Sequence, residues 1–403
     1  MQKLVVIYGS GASYDSKYKI IIRDNNEEIT FNPPMDNNFF SSKPVQLLLQ
    51  QDKFYALKEF IRVLFPISQQ QSLETLWTSV AVNTEQYKLN SYLWEEEFKK
   101  YYFNCILKKN SEYPFNDLIS TDYVSIQSGS LASSKGLMYN PDKFLNDCTR
   151  DLKMLIYKCF SKIALSNSCK SNYAILYKKI IKSNSFLLGH ITFNYDLTLE
   201  NSLEKNKIPY RFLGVNDSVW TDYFEQRINS DQLILKLHGS LGWKNIFNCT
   251  DIEFDKIPIK PEYAGNSFDV NEFIEPGIVP PTIFKEEINS EKLKNKPLTR
   301  LLLNQWRNAI NLLVEADKVI IIGYSFPLTD FHVHRIFQVA NMIKRNKNMK
   351  KQKVLFCTGL NKNIESEKIK LSKILQVNLD SIHIVNGFTN SIKNKLFDQF
   401  LNI

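Results

Sequence analysis

ITFNYDL at residues 191–197 and LILKLHGSL at residues 233–241 decide the fold of this chain, because each is an apolar run that ends in polar residues. Apolar runs of this kind are typical of strands that are buried on both faces of a parallel sheet. In an open parallel sheet, ligands bind beyond the carboxyl ends of the strands. We therefore expect Asn194, Asp196 and His238 to converge on one crevice.

Other apolar runs predict the rest of that sheet. Strands are expected at 3–8, 186–193, 233–237, 318–323, 354–357 and 382–385, with a short one near 210–213 and a hairpin over 20–31. Amphipathic helices are expected at 298–316 and from about residue 331. Strands that alternate with helices predict an α/β fold with a doubly wound, mostly parallel, Rossmann-like sheet.

One long segment departs from this alternation. Over residues 44–182 the apolar positions recur at helical spacing, which predicts a large inserted helical module. The Rossmann-like domain would then comprise residues 1–43 and 183–403. The segment 245–297 contains six prolines and is predicted to be a long loop, a type of segment that often forms a flap over a site.

Composition narrows the class of protein. The chain has 403 residues, 43% hydrophobic and 23% charged, as is ordinary for a globular protein. Its six cysteines include no C-x-x-C pair, so neither a disulfide framework nor a structural zinc site is predicted. No secretion signal and no run of about 20 apolar residues is present, so we expect a cytoplasmic protein without a membrane span. The net charge of +9 comes from lysines dispersed along the chain, so we expect any association with nucleic acid to be indirect.

The first glycine turn, Gly9 to Ser13, follows the first predicted strand directly. Glycines there allow close approach to a phosphate, and they equally suit a tight strand-to-helix turn. Tyr14 stands where a third glycine of G-x-G-x-x-G would lie, and no P-loop lysine is present. The motif alone leaves both interpretations open.

The polar residues after the later strands are ambiguous in the same way. Asn194 and Asp196 could recognise a carboxamide, a ribose or a water, or Asp196 could form an Asx-turn that caps the next helix. His238 could be a base near neutral pH or a half-buried histidine bonded to backbone. Gly323 opens a second glycine turn, and Thr329 or Asp330 is a candidate helix N-cap.

The other histidines are weaker candidates. His332 and His334 are two residues apart and would not share a helical face, so they make a poor metal pair. His190 and His383 lie in strand patterns and are expected to pack in the core. The sequence has no nucleophile elbow and no H-E-x-x-H motif.

Taken together in chain order, five strings resemble one family. They are GSGAS at 9–13, TFNYD at 192–196, KLHGSLGW at 236–243, IVPPT at 278–282 and GYSFPLTD at 323–330. This set resembles the sirtuin-type (silent-information-regulator-type) domain of the bacterial NAD-consuming branch, from residue 3 to about residue 390. The resemblance implies a base role for His238, a water-orienting role at the nicotinamide ribose for Asn194, and a carboxamide-binding role for Asp196. The cofactor-binding residues that it implies are Gly9, Ser10, Gly11, Ala12, Ser13, Gly239, Gly323, Tyr324, Ser325 and Asp330.

Two departures separate the chain from deacylating sirtuins. No set of cysteines has the spacing of their zinc module. The cofactor loop that follows the first glycine turn also differs in sequence, with Pro34-x-Asp36 as a stand-in. Relatives without the zinc module hydrolyse NAD and serve in antiphage defence, so the resemblance implies a metal-free NAD⁺ glycohydrolase that acts as an abortive-infection effector. It also implies a homo-oligomer, with a separate partner subunit such as a HerA-type ATPase. An NAD- or ADP-ribose-sensing module without turnover and a protein deacylase are the alternatives, and a linear or cyclised ADP-ribose product stays open.

Overall fold

The structure is a computed structural model in which the described parts of the chain form three sheets and ten labelled helices. It describes residues 2–14, 18–22, 27–51, 54–61, 72–80, 141–165, 170–183, 185–214, 231–246, 251–263, 273–279, 297–327, 330–359 and 363–403. The strands are β1 (Gln2–Tyr8), β2 (Tyr18–Ile22), β3 (Glu27–Phe31), β4 (Ser185–Thr192), β5 (Tyr210–Arg211), β6 (Gln232–Lys236), β7 (Gly239–Ile246), β8 (Glu253–Phe254), β9 (Glu262–Tyr263), β10 (Phe273–Ile278), β11 (Lys318–Ile322), β12 (Lys353–Thr358) and β13 (Ile382–Asn386). The helices are α1 (Lys43–Gln51), α2 (Tyr55–Glu59), α3 (Pro141–Leu165), α4 (Lys170–Lys182), α5 (Thr198–Lys205), α6 (Pro297–Glu315), α7 (Phe331–Asn346), α8 (Ile364–Leu375), α9 (Phe388–Ser391) and α10 (Lys395–Leu401).

The main sheet has seven strands in the order β13-β12-β11-β1-β4-β6-β5. Every neighbouring pair in it is parallel. Apart from the short edge strand β5, this is the doubly wound 3-2-1-4-5-6 order, whose direction reverses at β1. The predicted Rossmann-like α/β fold is therefore confirmed, and the long predicted strands and the two predicted helices are present within one or two residues.

Helices cover both faces of this sheet because its strands are apolar on both sides. Val5 and Ile7 of β1 lie in one buried cluster with residues of α6, α7 and α8. The intervening residues Leu4, Val6 and Tyr8 lie in a second cluster with residues of α4, α5, α9 and α10. Successive side chains of a strand point to opposite faces, so one unbroken apolar run supplies both layers of the core.

The described parts of segment 44–182 are helical, namely α1, α2, residues 73–80, α3 and α4. A third buried cluster joins these helices to Tyr195, Leu241 and Ile278, which belong to the strings that define the crevice. Helix α4 packs instead on the main sheet, through Tyr173 and neighbouring residues. The module boundaries at 44 and 182 remain a prediction, and residues 81–140 lie outside the described residues.

Segment 245–297 is less irregular than the sequence suggested. It contributes β8, β9 and β10 to a four-stranded antiparallel sheet in the order β8-β7-β10-β9, so the expectation of a loop without elements was wrong in part. Pro276 concealed β10, because a proline argues against a strand unless it lies at an edge or an irregularity. Here the register between β10 and β7 shifts directly after Pro276, which accommodates the ring. Residues 264–272 and 280–296 of the proposed flap lie outside the described residues.

The hairpin predicted over 20–31 is present as the antiparallel pair of β2 and β3. The turn expected at residues 24–26 lies outside the described residues. Among the described helices, none combines the length and the apolar character that a bilayer crossing needs.

Gly239 joins the two sheets and has a backbone conformation that favours glycine. Its φ is +82°, and a Cβ there would lie 1.9 Å from the carbonyl oxygen of Gly277 in β10. We expect Gly239→Ala to lower the free energy of unfolding by about 3 kcal/mol, from backbone strain and overpacking together. Urea unfolding followed by circular dichroism measures this.

Gly359→Ala is the matched control, because no atom of the described residues lies within 4 Å of a Cβ at Gly359. We expect that change to alter stability by less than about 0.5 kcal/mol. Equal effects of the two substitutions would contradict the steric explanation at Gly239.

Candidate functional site

The candidate site is the crevice at the carboxyl ends of β1, β4, β6 and β11, where the strand order of the main sheet reverses. The polar strings found in the sequence all follow these four strands. They are the first glycine turn after β1, Asn194 and Asp196 after β4, His238 after β6, and the second glycine turn after β11. The expected convergence of these strings on one edge of the sheet is what the structure shows.

The two glycine turns pack directly against each other. Gly9 N donates to Ile322 O and Gly11 N donates to Gly323 O, both at 2.9 Å. Gly323 has a φ of +65°, and a Cβ on it would lie 2.2 Å from Ala12 N. These contacts explain the glycines by close backbone approach, which is the tight-turn interpretation. The phosphate-cradling role of residues 9–13 therefore stays a prediction.

Asn194 ties the β4 tip to the first glycine turn. Its Nδ2 donates to Gly9 O at 3.0 Å and to Ser13 Oγ at 3.2 Å, while its backbone N donates to Thr192 Oγ1 at 3.1 Å. The side chain is partly exposed, whereas its neighbours in the string are buried. This amide is thus fixed at the crevice with one edge held by the turn.

Asp196 faces the start of α5. Its Oδ1 accepts a hydrogen bond from Thr198 N at 2.9 Å, which is the Asx-turn that the sequence left as an alternative. The side chain is 6% exposed. This contact accounts for Asp196 structurally, and the carboxamide-binding role stays a prediction.

A buried ion pair lies directly beneath these strings. Lys236, fully buried in β6, donates from Nζ to Glu200 Oε1 in α5 and to the backbone O of Asp196, both at 2.6 Å. Burial raises the pKa of Glu200, and the charge of Lys236 opposes that shift. Sequence reasoning missed this pair, because a lysine inside an apolar strand gives no sign of its partner.

His238 lies at the tip of β6 in an aromatic wall. Its ring centroid is 5.3 Å from that of Phe193, 6.3 Å from Tyr195 and 6.4 Å from Trp306. Trp306 Nε1 donates to Leu237 O at 2.9 Å and so holds the strand tip from α6. The histidine is only 5% exposed, which places its ring at the inner wall of the crevice.

Asp330 faces His238 from the N-cap position of α7. The predicted N-cap position is confirmed, but the side chain makes no capping hydrogen bond, so the capping role expected of the carboxylate was wrong. Its Oδ2 lies 3.7 Å from His238 Nε2 and accepts a hydrogen bond from the Tyr324 hydroxyl. The carboxylate turns inward, where the imidazole of His238 and the hydroxyl donor of Tyr324 are both available.

Two acidic residues of the preceding segments also reach this edge. Asp36 Oδ1 accepts from Glu74 N at 3.0 Å. Burial raises the pKa of Asp36, and the charge of Asp330 adds to the rise. Asp36, named from the sequence as a stand-in for the cofactor loop, therefore lies close enough to Asp330 for their charges to interact. Sequence reasoning did not identify Glu74, because it lies in a helix 38 positions after Asp36.

The remaining candidates have structural surroundings. His190 is buried between two tyrosine hydroxyls, Tyr8 at 3.1 Å and Tyr177 at 2.9 Å, which confirms its core role. His383 is partly buried against the Phe400 ring at 5.8 Å. Among the described residues no group of three or more metal-binding side chains occurs.

Comparison with known proteins relates this site to one family. Residues 189–376, which carry Asn194, His238 and Asp330, match the sequence model of the SIR2-like domain. No curated protein sequence matches the chain. A Sir2 homologue solved as a complex with NAD is 13% identical, covers 65% of this chain and 74% of its own, and superposes with a TM-score of 0.35. A mutant Sir2 homologue solved with ADP-ribose is also 13% identical, with 65% and 76% coverage and a TM-score of 0.35.

Proposed function

We propose that this protein is an NAD⁺ glycohydrolase that cleaves the bond between nicotinamide and ribose. The observation that carries the proposal is the placement of Asn194 and His238 at one crevice, beside the first glycine turn. The match of residues 189–376 to the SIR2-like domain supports the same conclusion. NAD is the substrate, and the chemistry proposed for these residues needs no metal.

The chemistry requires little of the protein beyond positioning and charge. The C1′–N bond breaks, its electron pair passes to the nicotinamide nitrogen, and nicotinamide leaves as a neutral molecule without a general acid. A water oxygen then bonds to C1′ of the cation-like ribose, and one proton of that water must be removed. Enzymes accelerate such steps by orienting the water and accepting its proton.

Each role falls to a residue at the crevice. Asn194, anchored to Gly9 and Ser13, would orient the attacking water. His238 would accept the proton, either from the water or through the ribose hydroxyls. Asp196 would hold the carboxamide of the nicotinamide, and the two glycine turns, with Gly239, Tyr324 and Ser325, would hold the rest of the dinucleotide.

The biological role that we propose is antiphage defence by abortive infection, in the cytoplasm. The sequence strings that resemble the NAD-consuming branch of sirtuin-type domains support it. An enzyme that depletes NAD must be held inactive until infection, so we propose control by self-assembly and by a separate partner subunit such as a HerA-type ATPase. Segment 44–182 is the proposed assembly surface.

The proposal is tested by following NAD loss and nicotinamide release by the purified wild-type chain and by Asn194→Ala. We expect release by the wild type and a loss of about 100-fold or more in Asn194→Ala, because the water would no longer be oriented. Chromatographic separation of nicotinamide, ADP-ribose and cyclic ADP-ribose measures the rate and identifies the product.

Asn394→Ala is the matched control, because Asn394 caps α10 through a bond to Leu396 N and lies outside the crevice. We expect it to lose about 1 kcal/mol of stability and no activity. NAD binding in a calorimetric titration, without nicotinamide release by the wild type or by Asn194→Ala, would indicate either a sensing module or an enzyme that needs its partner to be active. The absence of both NAD binding and nicotinamide release would contradict the proposal.

A further inference from the structure

Asp330 and Tyr324 form a hydrogen-bonded pair whose carboxylate faces the ring of His238. These residues come from two parts of the chain: His238 follows β6, whereas Tyr324 and Asp330 both lie in the segment between β11 and α7. All three side chains are nearly buried, with residue exposures of 5% for His238, 7% for Tyr324 and 5% for Asp330. Solvent therefore screens the interactions between them only weakly.

We propose that Asp330, held by Tyr324, is a positioning residue that stabilises His238 in its protonated form. This inference rests on the base role proposed above for His238, and it gives Asp330 a different task from contact with NAD.

The geometry of the carboxylate carries the first step. Asp330 Oδ2 lies 3.7 Å from His238 Nε2, within ion-pair distance. An opposite charge at this distance favours the charged form of an imidazole. A base that accepts a proton during the reaction becomes more effective when a fixed charge stabilises the form that it reaches.

The state of the Tyr324 hydroxyl carries the second step. Burial, and then the charge of Asp330, raise the pKa of Tyr324 well above its usual range. The hydroxyl therefore stays protonated and donates to the same Oδ2 that faces His238. The Tyr324 ring is itself fixed, with centroids 4.3 Å from Phe193 and 4.8 Å from Phe326.

Packing of Phe193 completes the arrangement. Its ring stacks on Tyr324 and meets the edge of His238 at 5.3 Å, so one aromatic side chain separates the tyrosine from the histidine. Among the described residues, Tyr195 also brings a titratable group near His238, with its ring centroid at 6.3 Å. The charges of Glu74 and Asp36, like the charge of Asp330, raise the pKa of Tyr324.

The test is a titration of the His238 imidazole by NMR, in the wild type and in Asp330→Asn, which changes the charge and keeps the shape. The signal is assigned from its loss in His238→Asn. We expect its midpoint to move to lower pH in Asp330→Asn, by about one pH unit. An unchanged midpoint in a folded Asp330→Asn protein would overturn the inference.

Steady-state kinetics separate positioning from substrate contact. We expect Asp330→Asn to lower kcat by about tenfold, with the acidic limb of its pH profile shifted to lower pH and KM nearly unchanged. A rise in KM alone would show that Asp330 binds NAD and would overturn the positioning role. Because the NMR titration needs no turnover, a shifted midpoint in an inactive protein would support this inference and contradict only the proposed hydrolase activity.

Tyr324→Phe provides a second variant that retains the stacked ring. It removes only the hydroxyl that fixes Asp330, so we expect the same direction of change in the His238 midpoint and in kcat, with a smaller size. If both the His238 midpoint and kcat stayed unchanged in Tyr324→Phe, Tyr324 would have no part in positioning Asp330.

Discussion

A His238→Ala protein is expected to fold and to lose about 100- to 10,000-fold of its NAD hydrolysis, the usual contribution of a general base. The ring lies at the strand tip between Phe193, Tyr195 and Trp306, and Asp330 is its charged neighbour. Alanine removes the only proton acceptor assigned to the attacking water. Nicotinamide release measured beside the wild type, at equal concentrations of folded protein, gives the size of the loss.

His383→Ala is the control for this prediction. It removes an imidazole from β13, which is the edge strand of the main sheet on the opposite side of β1 from β6. Burial and the charges of Lys353 and Lys368 lower the pKa of His383, so its imidazole is neutral near pH 7 and its loss changes no charge there. We expect full activity in His383→Ala, and retained hydrolysis in a folded His238→Ala protein would overturn the base assignment.

Lys236→Met is expected to have the largest effect on stability, lowering the free energy of unfolding by about 3–5 kcal/mol. The substitution leaves the Glu200 carboxyl buried at 3% exposure without its cation, and removes a donor to the Asp196 backbone. Urea unfolding near pH 7 measures the loss. Lys244→Met is the matched control, because its ion pair with Glu253 is exposed and contributes about 0–1 kcal/mol.

The destabilisation should also depend on pH. Burial already raises the pKa of Glu200 above its ordinary 4.5, and Lys236, which opposes the rise, is absent from the variant. Above pH 4.5 the unfolded chain therefore releases a proton that the folded variant retains, so the free energy of unfolding falls as the pH rises. We expect Lys236→Met to be less stable at pH 8 than at pH 5, relative to the double variant Lys236→Met/Glu200→Gln. Equal pH dependence of the two variants would contradict the assigned role of Glu200.

The candidate site was predicted from the sequence to a considerable extent, because its residues follow strands that are easy to find. Asn194 and His238 come directly after β4 and β6, and parallel strands bring such residues to one edge whatever lies between them. The partners of these residues were not predictable in the same way. Asp330 was interpreted as a helix cap from its local position, yet its side chain turns to His238, which is 92 positions earlier in the chain.

The second sheet shows the same limit. A proline in β10 and a low density of apolar residues concealed its strands, since strand propensity is local whereas pairing with β7 is not. Glu74 and Asp36 lie close together for a comparable reason, because helix packing brings residues 38 positions apart into hydrogen-bond contact.

The sequence by itself determined the doubly wound sheet, the residues at its strand ends and the resemblance to sirtuin-type domains, because each depends on apolar periodicity or on short strings read in order. Only the tertiary structure decided that Lys236 pairs with Glu200, that the two glycine turns fill each other's missing side-chain space, and that Asp330 with Tyr324 faces His238. Those contacts join residues far apart in the chain, and buried charges and hydroxyls take whichever partner the packed fold brings within reach, because leaving them unpaired would cost too much free energy.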